Sequence, residues 1–340
     1  MELLKKLCET PGPSGREEKV CEVIISDLKA HVDQINVDAL GNMIAFKKGN
    51  GGPKVMLSAH MDEIGFLVNF IDENGFLRFT TVGGFDPRTL VAQRVVVHAS
   101  DREFYGVIGT KPIHVMDDDE KGKPVKIKDL FIDIGLSEKE VKKHVSIGDP
   151  VTIDRTCVDI GNDKLTAKAF DNRVGVYVMM EAVKKVKKHQ ADIYAVASVQ
   201  EEVGLRGAIV SSHGIEPDIG VALDTTIACD IPSVAAHEYV TKLGNGVGIT
   251  IMDAAAIGNI KLVKFMKTLA QKNKIKHQLK ILAKGGTDAG AMQRSRRGIP
   301  VTTLSIPTRY VHSSVEMVSK EDIKNAISLV TAFLENAHKF

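Results

Sequence analysis

Cysteine is scarce in this sequence. Its 340 residues include four cysteines, of which no two form a C-x-x-C pair: Cys8, Cys21, Cys157 and Cys229. This scattered spacing argues against a disulfide framework and favours a protein of the reducing cytosol. We therefore interpret the four side chains as small buried hydrophobes.

The sequence also lacks an excess of charge of one sign. It carries 45 basic and 43 acidic side chains, which give a formal net charge of +2. A protein with this balance has no bulk electric field that would draw it onto nucleic acid or an anionic membrane. We expect neither nucleic acid nor a membrane as a partner.

Long apolar runs are missing too. The first residues, "MELLKKLCETPGPSG", place lysines among the apolar side chains and contain no signal-peptide core. No apolar run approaches the length of a membrane span. The sequence thus predicts a soluble, cytoplasmic protein.

The length of the chain and a change in its texture predict two domains. A chain of 340 residues exceeds the usual size of a single domain. Residues 64–163 contain short β-rich runs, such as "IGFLVNFI", "FLRFTTV", "QRVVVHA" and "EFYGVIG", and one short helical stretch, "SEKEVKKH". Short strands at this spacing are typical of a small barrel or sandwich. We predict that this β-rich domain is inserted into a discontinuous domain formed by residues 1–63 and 164–340.

The rest of the chain has the pattern of an α/β fold. Ser14 and Glu17 form the signature of a capping box at the start of a helix. Val20, Ile24 and Leu28 follow on one face of that helix. Strand-like and helical segments then alternate on both sides of the insertion. This order predicts a doubly wound mixed sheet with helices on both faces.

Acidic and imidazole side chains stand at the carboxyl ends of the predicted strands, the edge where sites form in open α/β sheets. Five segments deliver such groups there: His60, Asp171, the pair Glu201 and Glu202, Asp224, and His312. Each residue alone has an ordinary explanation as a helix cap or a surface group. Together they would repel and desolvate one another unless cations lay among them. A divalent metal is the natural cation.

Two histidines and three carboxylates match the needs of two adjacent zinc or cobalt ions. Each ion takes one imidazole and one terminal carboxylate, and a third carboxylate bridges the pair. This count leaves one glutamate for the general base of a hydrolytic reaction. Because neighbours in extended backbone point apart, Glu201 and Glu202 can take these two different tasks. Asp62, two residues after His60, is expected to hydrogen-bond the other ring nitrogen of that histidine.

Six motifs carry a resemblance to a known family. In chain order they are "SAHMDEIGF", "AFDNRVG", "VQEEVGLRGA", "ALDTT", "GGTDAG" and "RYVHS". Together they resemble the M42 family of dinuclear metallo-aminopeptidases, the tetrahedral aminopeptidases of archaea and their bacterial relatives. The resemblance covers essentially the whole chain, with the β-rich insertion in the expected place.

The resemblance implies a role for each site residue. Glu201 would be the catalytic base, and Asp62 would be the partner of His60. The implied ligands of two Zn²⁺ or Co²⁺ ions are His60, Asp171 as the bridge, Glu202, Asp224 and His312. The implied fold is zinc-exopeptidase-like, with a small β-barrel or PDZ-like insertion through which subunits dimerise. Six dimers would form a hollow tetrahedral dodecamer whose internal active sites hydrolyse peptides.

Four further features are less specific. Through the resemblance, the loop "KGGTDAG" is assigned to the substrate pocket with Thr287 and Asp288 as contributors, and His237 could approach the same pocket. Ser314 stands where relatives often have proline. The acidic run at 117–122 lacks the spaced ligands of a calcium loop, so we predict a solvated turn there.

Two alternative functions stay open. Some members of the family carry the label endoglucanase, and a glycosidase would need two carboxylates flanking a sugar bond and no metal. Glu201 and Glu202 are too close in sequence to face each other across a substrate. A catalytically inactive, cage-like peptide-binding scaffold would predict a damaged ligand set, whereas every implied ligand is present.

Overall fold

The protein consists of a large mixed sheet covered by helices and a small closed β-barrel. The computed structural model describes residues 1–119 and 121–340. In chain order, the strands of these residues are β1 (Gln34–Val37), β2 (Met43–Lys47), β3 (Lys54–His60), β4 (Gly65–Ile71), β5 (Leu77–Val82), β6 (Arg94–His98), β7 (Glu103–Gly109), β8 (Phe131–Asp133), β9 (Pro150–Ile153), β10 (Val158–Ile160), β11 (Lys164–Ala167), β12 (Asp192–Ser198), β13 (Ile219–Ile227), β14 (Val247–Met252), β15 (His277–Ile281), β16 (Val301–Arg309) and β17 (Glu316–Ser319).

The α-helices cover the sheet and contribute one short element to the barrel region. They are α1 (Glu2–Glu9), α2 (Glu18–Leu28), α3 (Glu138–His144), α4 (Phe170–Lys185), α5 (Arg206–Ile215), α6 (Ile260–Lys272), α7 (Asp288–Gln293) and α8 (Lys320–Asn336). None of the helices in the described residues combines the length and the apolar character that a membrane crossing requires.

The large sheet has parallel strands at its centre. Its strand order is β1-β2-β12-β3-β13-β16-β17-β11-β10, and β14 pairs with both β16 and β15. The four neighbouring strands β12, β3, β13 and β16 run parallel to one another. Their carboxyl ends therefore meet at one edge of the sheet, where ligands bind in folds of this kind.

Strand β3 shows why helices lie on both faces of the sheet. Val55 and Leu57 belong to the large apolar cluster that also contains the buried faces of α2, α4 and α8. Met56, between them, points to the other face and packs in a separate cluster with Met292 of α7. Alternate side chains of a strand point to opposite faces, and apolar residues occupy both here. The predicted doubly wound architecture is confirmed.

The start of α2 differs from its prediction. Val20, Ile24 and Leu28 are fully buried, as the helical periodicity predicts. The capping box is wrong, because the helix begins at Glu18 and neither predicted residue caps it with its side chain. The Ser14 hydroxyl instead donates to a carboxylate oxygen of Asp62, 2.6 Å away at the edge of the sheet. A tertiary partner thus outcompetes the local helix terminus for this hydroxyl.

The barrel closes in the strand order β4-β5-β8-β7-β6-β9, with antiparallel pairing throughout. Closure leaves no free sheet edge, and the barrel has its own apolar core around Phe66, Val97 and Ile132. The next strand along the chain, β10, pairs with β11 in the large sheet. The turn predicted at 117–122 contains residue 120, which lies outside the described residues.

A buried arginine holds the N-terminal segment against the rest of the fold. Arg173 of α4 is fully buried and donates hydrogen bonds to the backbone oxygens of Leu7, Thr10 and Gly12. Its Nη2 also lies 3.6 Å from Oε1 of Glu63, the residue that precedes the barrel by two positions. Removing the guanidinium would leave the backbone oxygens of Leu7 and Thr10 without this donor and would take away a buried charge that lies beside Glu63.

We expect Arg173→Ala to lower the free energy of unfolding by about 3 kcal/mol or more, measured by urea denaturation. Arg16→Ala is the matched control, because Arg16 lies on the segment that Arg173 anchors but is exposed. The control should change the free energy of unfolding by less than about 0.5 kcal/mol. Equal stability of the two variants would contradict this account.

Candidate metal centre

The predicted site residues meet at the carboxyl edge of the parallel strands. His60 is the last residue of β3 and is 2% exposed, while Asp224 lies in β13 and is 6% exposed. Asp171 stands in the first turn of α4, directly after the link from β11, and a cis peptide joins it to Asn172. His312 lies in the loop between β16 and β17. Residues far apart in the chain thus share one small volume.

His60 faces three carboxylates through one ring nitrogen. Its Nε2 lies 3.2 Å from Oδ1 of Asp171, 3.8 Å from Oδ1 of Asp224 and 3.9 Å from Oε2 of Glu201. One nitrogen cannot hydrogen-bond all three oxygens at these distances. The arrangement instead surrounds a point that a cation would occupy.

His312 forms the other end of the same cluster. Its Nε2 lies 3.5 Å from Oδ2 of Asp171 and 3.4 Å from Oε1 of Glu202. Asp171 therefore presents one carboxylate oxygen toward each histidine. This is the position that a carboxylate shared between two cations would take.

Glu201 and Glu202 point to different parts of the cluster, but the predicted reason is wrong. Strand β12 ends at Ser198, and Gln200 has a left-handed backbone with φ 54°, so the two glutamates do not lie in extended chain. Their backbone N–H groups donate to the two carboxylate oxygens of Asp62, at 3.0 and 3.2 Å. A turn tied to Asp62 separates their side chains.

Asp62 lies against the second ring nitrogen of His60. Nδ1 of His60 is 3.2 Å from the backbone oxygen of Asp62 and 3.4 Å from its carboxylate Oδ1. The carboxylate is fully buried and also accepts the hydroxyl of Ser14. One side chain thus contacts His60 and holds the turn that carries both glutamates.

The site contains more buried carboxylates than the protein's own cationic groups neutralise. Burial raises the pKa of Glu201 and Asp224 well above their usual values, and neighbouring carboxylates add to the shift. Burial would lower the pKa of His60, but the carboxylates of Glu201, Asp171 and Asp62 raise it well above its usual value. The cluster therefore favours additional positive charge.

The donor set fits divalent metal ions. Nitrogen and oxygen atoms within 4.8 Å of one another form two groups, one from His60, Asp171 and Glu202 and one from His60, Glu201 and Asp224. Oδ1 of Asp171 is buried and accepts no hydrogen bond. Imidazole and carboxylate are the ligands that zinc and cobalt accept. Because Glu201 belongs to the second group, its carboxylate lies as close to His60 and Asp224 as that of a metal ligand would.

Glu316 is a site residue that the sequence analysis missed. It is 2% exposed in β17, and its two carboxylate oxygens accept the backbone N–H groups of Asp171 at 2.9 Å and His312 at 2.8 Å. His312 has a left-handed backbone with φ 61°, which this hydrogen bond supports. No sequence pattern marks Glu316, because both of its partners are backbone groups and one of them, that of Asp171, comes from a distant segment.

A cavity of about 700 Å³ opens beside the cluster. Thr287 lines it as predicted, but Asp288 does not, because its buried carboxylate accepts the hydroxyls of Ser58 and Ser198. His237 is exposed and does not line the cavity, so that prediction is wrong. Cys8, Cys21 and Cys157 are buried as expected, whereas Cys229 is only half-buried and lines the cavity.

Comparison with known proteins places the chain among aminopeptidases. Residues 41–329 match the family described as M42 glutamyl aminopeptidase. The lysyl aminopeptidase of Pyrococcus furiosus is 39% identical, over 98% of this chain and 96% of the relative. An aminopeptidase structure from the archaeon Desulfurococcus kamchatkensis is 44% identical with a TM-score of 0.96, over 98% of this chain and 94% of that chain. The TET1 peptidase of Pyrococcus horikoshii, reported to assemble into a tetrahedron or a large octahedral shell, is 34% identical with a TM-score of 0.88, over 98% of both chains.

We expect Glu316→Gln to weaken the binding of Zn²⁺ or Co²⁺ by about 10- to 100-fold, because an amide accepts through one oxygen only and leaves one backbone N–H without its partner. Competition with a chromophoric chelator measures the affinity. Glu321→Gln is the matched control, since Glu321 is exposed at the start of α8. Equal affinities in the two variants would contradict the positioning role of Glu316.

Proposed function

The chain belongs to the M42 family of peptidases and is an aminopeptidase, and we propose that it removes single N-terminal residues from peptides with two divalent metal ions and Glu201 as general base. The observation that carries the proposal is the position of Asp171, which offers one carboxylate oxygen to His60 and the other to His312. The family implies a divalent metal, and the donor set described above fits one.

The proposed ligands divide around Asp171 as the bridge. Asp224 and His60 would hold one ion, and Glu202 and His312 the other, in keeping with the 3.8 Å between His60 and Asp224 and the 3.4 Å between His312 and Glu202. Zinc and cobalt both suit these ligands. When bound, the ions would polarise the scissile carbonyl group and lower the pKa of the attacking water.

Glu201 is the proposed acid–base group. Its carboxylate borders the cavity, and its pKa is raised by burial, which suits a group that accepts and returns a proton. It would take a proton from the attacking water and pass it to the leaving amine. Asp62 would keep His60 in the orientation for metal binding and hold the turn that presents Glu201. Glu202 is the proposed ligand because it lies nearest to His312.

We also propose that residues 64–163 form a domain through which subunits dimerise and that residues 1–63 and 164–340 form the catalytic domain. Several apolar side chains in the barrel region are exposed, including Phe70, Tyr105, Ile113 and Ile147. The shells of the TET1 relative support assembly of such dimers into a dodecamer. Free cysteines and a near-neutral charge support a cytoplasmic location.

The two alternative functions have weaker support. A glycosidase would leave the histidine pair and its carboxylates without a task. An inactive scaffold would not need to bring two imidazoles and four carboxylates to one cavity. The site thus favours hydrolysis by an enzyme that binds metal.

Paired substitutions separate the roles of the two glutamates. We expect Glu201→Gln to retain the bound metal and to lower kcat by about 10²- to 10⁴-fold, because the amide cannot accept the proton. Glu202→Ala should reduce the metal content, measured by elemental analysis of the purified protein. Glu201→Gln with full turnover, or with metal loss like that of Glu202→Ala, would contradict the assignment.

Chelation tests the dependence on metal. Dialysis against EDTA should abolish hydrolysis of amino-acid p-nitroanilides, and Co²⁺ or Zn²⁺ should restore it, because the ions would act as the Lewis acids that polarise the scissile carbonyl group. The same samples are assayed on carboxymethylcellulose. Cellulose hydrolysis that persists after chelation would support the glycosidase instead.

A further inference from the structure

Side chains from distant segments hold four consecutive backbone N–H groups directly after β12. The donors are Val199, Gln200, Glu201 and Glu202, and the acceptors are Asn42, Glu17 and, for the last two, Asp62. Strand pairing has ended at this point, so these side chains take the place of the hydrogen bonds of the sheet. The course of the chain toward the proposed general base therefore depends on them.

Glu17 holds the residue of this turn that is hardest to keep in place. Gln200 has a left-handed backbone with φ 54°, which is unfavourable for a residue with a β-carbon. Its N–H group lies 3.1 Å from Oε1 of Glu17. The same oxygen accepts the N–H group of Gly15 at 2.8 Å. One carboxylate oxygen thus joins the loop before α2 to the residue that directly precedes Glu201.

The burial of Glu17 indicates a task at the turn. Glu17 is 5% exposed at the start of α2, and its side chain does not cap that helix. Burial raises the pKa of its carboxyl group to about 7, although the hydrogen bonds from Gly15 and Gln200 oppose the shift. An acid in such a position is costly to bury, and its hydrogen bonds go to two backbone donors.

The turn separates two cavities. Glu201 and Glu202 line the large cavity that contains the metal cluster. Glu17, Val199 and Gln200 line a second cavity of about 310 Å³. Glu17 therefore lies behind the turn, on the side away from the proposed substrate. Any effect that it has on hydrolysis must pass through the backbone of the turn.

We propose that Glu17 is a positioning residue for hydrolysis: by holding the backbone of Gln200, it fixes the place at which Glu201 takes and returns the proton. This inference rests on the proposed function and deepens it, because it names a residue remote from the substrate on which the general base depends. A general base acts only within hydrogen-bond reach of the proton, and small displacements of a reacting group cost large factors in rate.

Glu17 differs from Asp62 in what else it contacts. Asp62 lies against the ring of His60, so replacing it would disturb a proposed metal ligand together with the base. Oε1 of Glu17 accepts from the backbones of Gly15 and Gln200 instead. A substitution of Glu17 should therefore displace the base while the metal stays bound.

Two substitutions separate the hydrogen bond from the volume of the side chain. Glu17→Met fills a similar space without an acceptor, and we expect it to lower kcat for leucyl p-nitroanilide by about 10- to 100-fold with KM within about threefold. Glu17→Gln keeps an amide oxygen for Gln200 and should hold kcat within about threefold of the wild type. Elemental analysis should find the wild-type metal content in both variants. Glu17→Ala is a second variant without an acceptor, in case methionine perturbs folding, which thermal unfolding checks.

A double-mutant cycle shows whether Glu17 acts through Glu201. In the Glu201→Gln background the turn no longer presents a base, so Glu17→Met should lower the residual kcat by less than about threefold. A merely structural role of Glu17 would give the same factor in both backgrounds. Long incubations at high enzyme concentration make the residual rate measurable.

Glu22→Met is the matched control, because Glu22 is exposed on α2 and lines the same second cavity. It should leave kcat within about twofold of the wild type. Unchanged kcat in both variants without an acceptor, an equal loss in Glu17→Gln, loss of metal, or equal factors in the two backgrounds would overturn the inference and leave the aminopeptidase proposal intact. No hydrolysis by the wild type, or full turnover by Glu201→Gln, would overturn the proposed function as well.

Discussion

The carboxylate of Asp171, shared between His60 and His312, is the interaction on which the site depends. Placing this acidic group among Glu201, Glu202 and Asp224 without solvent is costly unless positive charge compensates it. Two protonated imidazoles would offset part of that cost, and divalent ions would offset more. The same groups therefore destabilise the metal-free protein and prepare it for metal binding.

The cluster stays ordered because a surrounding layer of hydrogen bonds fixes its backbone. Asp62 holds the turn of the two glutamates, and Glu316 holds the backbones of Asp171 and His312. Glu17 accepts the N–H of Gln200, the left-handed residue before that turn. Each of these carboxylates satisfies backbone donors at the edge of the sheet, where strand pairing has ended. Without them, the side chains of the proposed metal site would lie on loops with few constraints.

In the proposed enzyme, different residues of the cavity would serve hydrolysis and substrate recognition. The cluster at the ends of β3 and β13 suits the hydrolytic step, which is the same for every peptide bond. The wall formed by β15 and the loop after it carries Lys280 and Lys284, and in the proposed aminopeptidase it would contact the side chain of the substrate, which varies. Separation of this kind would allow substrate preference to change while the proposed ligands stay the same, and the names of one relative and of the matching family refer to lysyl and glutamyl residues.

The sequence by itself determined the fold class, the inserted β-rich region and the residues that meet at the sheet edge, because apolar periodicity and strand-end positions are local signals. It did not determine how Ser14, Glu17 and Glu316 are used, because their partners are backbone groups or side chains from distant segments. Helix α5 and strand β14 also went unpredicted, since both are short and contain small residues whose burial depends on neighbouring elements. The tertiary structure alone brought Lys280 of an edge strand to the cavity that Asp224 also lines, because the pairing of β14 with β16 and β15 places β15 near the site. Local sequence preferences specify the helices and strands. Contacts between distant segments decide which polar side chains have structural partners and which are available for function.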